Sequence, residues 1–153
     1  MAERKALFVK QSIEIQAPAS KVWAALTNHE LTRHWVREFF GQDAELVSDW
    51  TMGSPVEWKT VANGKTNVEG NVTAIIPYML LRYTVFDVRG ERPPVSEEDG
   101  ITFTLAEQYA QTTLSLMQGD FGKMDGGEKF YNASVELWER VLPIIKRVAE
   151  TVA

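Results

Sequence analysis

The chain contains no cysteine. Disulfides, thiolate metal sites and cysteine nucleophiles are therefore all excluded. A cysteine-free chain also fits a reducing cytoplasm. Histidine is almost as scarce, with only two residues, His29 and His34. They lie five apart, not at the four-residue spacing that aligns two ligands on one helical face, and no H-E-x-x-H is present. No metal site and no cofactor is expected. Basic charge is also in deficit: 16 Lys and Arg against 21 Asp and Glu leave a net charge of −5. General nucleic-acid binding needs the opposite balance. No apolar run approaches the ~20 residues of a membrane span, and residues 1–10 lack the apolar core of a signal peptide. A soluble, cytoplasmic protein is expected. No glycine-rich phosphate loop occurs, because Asp125 to Glu128 reads more simply as the start of a helix.

The 153 residues suit one domain, 1–153, with its own core. Leu7 to Gln16 alternates, with Leu7, Val9, Ile13 and Ile15 on one face and Gln11 as a polar exception on that inner face. Pro18 opens a helix carrying Ala19, Val22, Trp23 and Leu26 at helical spacing. Thr27 and Glu30 suggest a capping box for a second short helix with Leu31 and Trp35. Six strands are then predicted: 44–50, 56–61, 67–76, 80–88, 101–109 and 111–118. Breakers separate them at Gly53–Pro55, Asn63–Gly64, Pro77–Tyr78 and Tyr109–Ala110. Arg89 to Gly100 is polar and proline-rich and reads as a long hairpin loop. The final segment has an apolar stripe from Tyr131 through Trp138, Leu142 and Ile145 to Val152. Pro143 lies off that stripe and should bend the helix convex to solvent.

The more apolar strand face holds Val56, Trp58, Val68, Gly70, Val72, Ala74, Leu81, Tyr83, Val85, Ile101, Phe103, Leu105, Leu114 and Leu116. The other face is rich in Glu, Lys, Asn and Thr, including Arg82, Thr84 and Thr102. One polar face implies an antiparallel sheet wet on that side, and the apolar face must be covered by the helices. The fold class is therefore α+β: a curved antiparallel sheet of about seven strands wrapped around a long C-terminal helix, in the order β-α-α-β6-α.

The stretch Ala17 to Thr27, followed by Leu31 to Trp35, resembles the opening of SRPBCC-superfamily (START-like, helix-grip) proteins. Further matches are Met52-Gly53-Ser54, Gly70-Asn71-Val72 with Pro77 and Leu80 or Leu81, Thr112 to Leu116 before Gly119 to Phe121, and Trp138 with Leu142. The likeness covers nearly the whole chain and is greatest to the branch related to activators of heat-shock-protein-90 ATPase. The stretches 124–127 and Phe121–Gly122 depart from the pattern. The resemblance implies a helix-grip fold with a cavity between the long helix and the sheet. Members bind lipids, steroids, polyketides or hormones, and some are polyketide cyclases or hydrolases.

On that basis Trp35, Phe39, Trp58, Val72, Tyr83, Phe103, Leu105, Leu116, Tyr131 and Trp138 are the expected lining of a ligand pocket. The alternative is a solid core in which the same aromatics simply pack. Gln11, Ser48, Tyr83, Tyr109 and Gln118 are the inward polar candidates. None makes a convincing base, and no catalytic residue is assigned; Asp49, Glu57 and Glu69 fall on the polar face. Binding of a small hydrophobic ligand ranks first. A cochaperone-like interaction domain, with a chaperone as partner, ranks second, and a cyclase- or hydrolase-type enzyme third. A homodimer through an exposed edge strand remains open.

Overall fold

The computed structural model describes residues 6–89 and 99–152. The chain runs β1 (Val9–Ile15), α1 (Ala19–Thr27), α2 (His29–Phe40), β2 (Ala44–Ser48), β3 (Pro55–Thr60), β4 (Thr66–Ile76), β5 (Leu80–Tyr83), β6 (Phe86–Asp87), β7 (Gly100–Gln108), β8 (Gln111–Gly119), a 3-10 turn (Phe121–Lys123) and α3 (Gly127–Thr151). The sheet order is β1-β8-β7-β5-β4-β3-β2, and β6 pairs with β4 off that path. Every pairing is antiparallel. This is the expected α+β helix-grip architecture, with seven strands curling around the long last helix.

Segment 80–88, expected as one strand, is two. Gly70 explains the break, because a Cβ built there would stand 1.8 Å from the Thr84 carbonyl oxygen. The strands pinch at that point. Asn71 N donates to Thr84 Oγ1 at 2.9 Å, and Thr84, expected on the wet face, is buried. A bulge between Val72 and Ala74 then reverses the side-chain parity of β4. Ala74 pairs with Arg82 on the outer side, while Ile75, opposite Leu81, packs on the core. Thr102 is also buried on the outer side, where Arg82 Nε donates to its hydroxyl at 2.8 Å.

The second helix starts differently from the expected Thr27–Glu30 box. Asn28 is the cap, and its side chain accepts from the backbone N–H of Glu30 and Leu31. Thr27 Oγ1 instead donates back to Trp23 O at 2.8 Å. Gly41 closes α2 in the left-handed conformation at φ 65°.

Helix α3 runs through Pro143, which faces solvent. Trp138, Val141, Leu142, Ile145, Val148 and Ala149 bury its inner stripe. Its end is tied to the end of β1: Lys146 Nζ donates to Glu14 O at 3.0 Å, and Gln16 N donates to Glu150 Oε2 at 2.8 Å. The Lys146 ammonium beside Glu150, followed by that backbone N–H, holds the Glu150 carboxyl below its usual range. No described helix is long and apolar enough to cross a membrane.

Candidate functional site

The space between α2, α3 and the sheet is largely filled by aromatic rings, most of them meeting edge to face. Trp35 is the hub. Its ring centre lies 6.1 Å from Trp58, 6.2 Å from Trp138, 6.3 Å from Phe39 and 6.4 Å from Phe103. Phe39 lies 5.1 Å from Trp58 and 5.2 Å from Trp138. Such pairs each contribute about 0.5–1.5 kcal/mol beyond area burial. Trp35 Nε1 donates to Ala25 O at 2.9 Å, which locks α1 against α2.

Beside this cluster lies a recess of about 240 Å³, lined by Phe39, Phe40, Trp58, Val68, Val85, Asp87, Ile101 and Gln118. The end of α2 supplies the two Phe side chains, the break between β5 and β6 supplies Val85, and strands supply the rest. A wider recess of about 600 Å³ lies along residues of β1, β5, β7 and β8 that include Lys10, Ser12, Arg82, Thr102, Thr104, Ser115 and Met117. The smaller one, with apolar walls and few polar groups, has the character of a small-molecule site.

Two of the ten expected lining residues, Phe39 and Trp58, border the recess. Trp35 and Trp138 are ring neighbours within the cluster, and Phe103 packs against those two. Val72, Tyr83, Leu105 and Leu116 are buried in the core and do not border it. Tyr131 is half-buried against Phe121, with ring centres 6.4 Å apart. Phe40, Val68, Val85 and Ile101 complete the apolar lining. Three of these lay on the expected apolar face, and Phe40 had only its place beside Phe39 as a signal. Asp87 carried no signal, since it reaches the rim through the break in the strand.

The inward polar candidates divide. Gln118 borders the recess, and its Oε1 accepts from Trp138 Nε1 at 2.7 Å. Gln11 Nε2 donates to Val135 O at 3.0 Å and so serves the β1–α3 contact. Ser48 Oγ is 3.1 Å from Ser54 Oγ in the β2–β3 hairpin. Tyr109 is 94% exposed, at the β7–β8 turn with φ 54°, and is not an inward residue. His29 and His34 are both exposed on α2. Among the described residues no cluster of three or more His, Asp or Glu is placed to hold a metal ion.

Two buried donors have no hydrogen-bond partner among the described residues: Trp58 Nε1 and the Tyr83 hydroxyl. Burial pushes the Tyr83 hydroxyl far above its usual range. Asp87 is held below the usual carboxylate range by hydrogen bonds from the Arg89 side chain and backbone. Of the expected long hairpin loop, residues 90–98 lie outside the described residues.

The family model for activator of Hsp90 ATPase homolog 1-like proteins matches residues 16–150. The chain belongs to this family. Its fold recurs in solved structures. The Aha1 dimer from Colwellia psychrerythraea is 19% identical with a TM-score of 0.71, covering 95% of this chain and 97% of that one. A protein from Cytophaga hutchinsonii is 27% identical with a TM-score of 0.68, covering 97% of each chain. DynU16, a putative protein in the dynemicin biosynthetic locus, is 18% identical with a TM-score of 0.63, covering 96% of this chain but 48% of its own. No curated protein matches the chain. Family membership accounts for the helix-grip scaffold, and the recess at the end of α2 is where this member concentrates apolar lining with a few polar groups.

Proposed function

We propose that this protein binds a small hydrophobic ligand in the recess between the end of α2 and the sheet. The observation that carries the reading is the recess itself, about 240 Å³ with six of its eight lining residues apolar or aromatic. Apolar cavities of about 150 Å³ already accept benzene, so one ring or a short acyl group fits. Asp87 is occupied by Arg89 and Gln118 by Trp138, so the polar lining suits holding a ligand better than proton transfer. A polyketide-type ligand is in keeping with a structural relative from the dynemicin locus. Native mass spectrometry of freshly purified protein tests the reading. A copurified small molecule, or saturable one-to-one binding from a panel of hydrophobic dyes and fatty acids, supports it. Uniform absence of binding contradicts it.

A second reading, a cochaperone-like interaction domain, draws on the family and on one surface feature. Ile76, Tyr78 and Met79 expose apolar side chains together at the β4–β5 turn. Such a cluster marks an interaction site when it is contiguous. The dimeric relative from Colwellia makes a second copy of the chain an alternative partner for that surface. Pull-down with the ATPase chaperone, together with its ATPase rate, separates this reading from ligand binding.

A further inference from the structure

Trp58 lies with 3% of its surface exposed, yet its indole N–H has no acceptor among the described residues. Its ring is flanked by the rings of Trp35, Phe39 and Phe40, with centres 6.1, 5.1 and 6.2 Å away. None of these rings offers an oxygen. Indole nitrogen can only donate, and buried donors are nearly always paired. Three of the chain's five tryptophans follow that rule: Trp35 donates to Ala25 O, Trp50 to Thr27 O and Trp138 to Gln118 Oε1.

Gln118 sharpens the point. Because Trp138 must donate, it faces the amide oxygen of Gln118, which leaves the NH₂ group as that side chain's remaining function at the recess. The one carboxylate on the lining, Asp87, can only accept, and it is paired with Arg89. The donors at the recess with no acceptor among the described residues are therefore Trp58 Nε1 and the Gln118 amide NH₂.

We propose that the recess selects ligands carrying a hydrogen-bond acceptor, a carbonyl or similar oxygen on a single-ring or short-acyl body, received by Trp58 Nε1 and Gln118 Nε2. The proposal rests on the ligand-binding reading and names the ligand class. An acceptor there gains a bond, whereas a pure hydrocarbon leaves the donors unpaired.

Acetophenone and isopropylbenzene test it, being matched in heavy-atom number and both carrying a branched three-atom group on one ring. Hydrophobic transfer alone favours the hydrocarbon. We expect the ketone to bind about five- to tenfold tighter to the wild-type protein, by the scale of one net hydrogen bond. The Trp58 indole N–H resonance in ¹H–¹⁵N spectra should shift with the ketone and much less with the hydrocarbon. Trp58→Phe keeps an aromatic wall and should bring the ratio to one or below. Gln118→Glu keeps the acceptor for Trp138 but removes the amide donor, and should weaken the ketone selectively; it serves equally if Trp58→Phe does not fold. Binding of isopropylbenzene as tight as acetophenone to wild type overturns the acceptor preference and leaves the ligand-binding reading standing. Binding of neither probe, with no other hydrophobic ligand found, overturns both.

Discussion

At the residue scale the most consequential group outside the recess is the Tyr83 hydroxyl. It is fully buried and unpartnered among the described residues, packed near Trp50 and Phe103 with ring centres 5.7 and 6.5 Å away. An unpaired buried hydroxyl costs roughly 1–3 kcal/mol, so Tyr83→Phe should raise stability by about 1 kcal/mol in urea unfolding at neutral pH. Burial raises the folded-state pKa above the ordinary value for a tyrosine. The unfolded chain therefore releases this proton first as pH climbs, and the native state binds more protons through that window. Wild-type stability has this contribution in full below pH ~10 and loses it above, by up to about 1.4 kcal/mol per pH unit. The advantage of Tyr83→Phe should widen from pH 9 to 11. A constant difference across that range would contradict the account. The inward direction of Tyr83 was legible from alternation in 80–83, but its missing partner was not, because pairing depends on neighbours brought from Trp50 and β7.

At the scale of elements, the sequence pattern identified the strands and helices well and their irregularities poorly. Alternation marks where a strand runs, but the pinch of Gly70 against Thr84 is a contact between two strands, and no single-strand pattern contains it. The resulting bulge turned Ala74 outward and Ile75 inward, against simple alternation. The start of α2 shows the same limit. Thr27 with Glu30 fits the local capping pattern, but the structure selects Asn28, whose side chain meets the N–H of Glu30 at 2.9 Å. Asn28→Ala should therefore destabilise the protein by about 1 kcal/mol. Thr27→Ala should change stability by less than about 0.5 kcal/mol. Urea midpoints for the two variants decide between the caps, and equal losses would contradict the assignment.

At the scale of the whole molecule, the helix-grip frame was legible from the order of elements and from the stripe of α3. The site was legible only in part. Sequence periodicity says which aromatics point inward, and it cannot say which rings meet one another and which stop short. Trp35, Phe103 and Trp138 close on each other as core, while Phe39 and Trp58 at the cluster's edge leave a recess. Membership in the family, over residues 16–150, fixes the scaffold. Function must be argued from the recess. Val68 lies on its wall, half-buried and directly opposite Trp58 across β3 and β4. An indole in its place would take up much of the ≈240 Å³. The most direct measurement is calorimetric titration of a hydrophobic ligand into wild type and Val68→Trp, with unfolding midpoints recorded for both. Saturable one-to-one binding to wild type, lost in a Val68→Trp variant of similar stability, is the result expected. Failure of wild type to bind any of the panel, or undiminished binding by Val68→Trp, would contradict it.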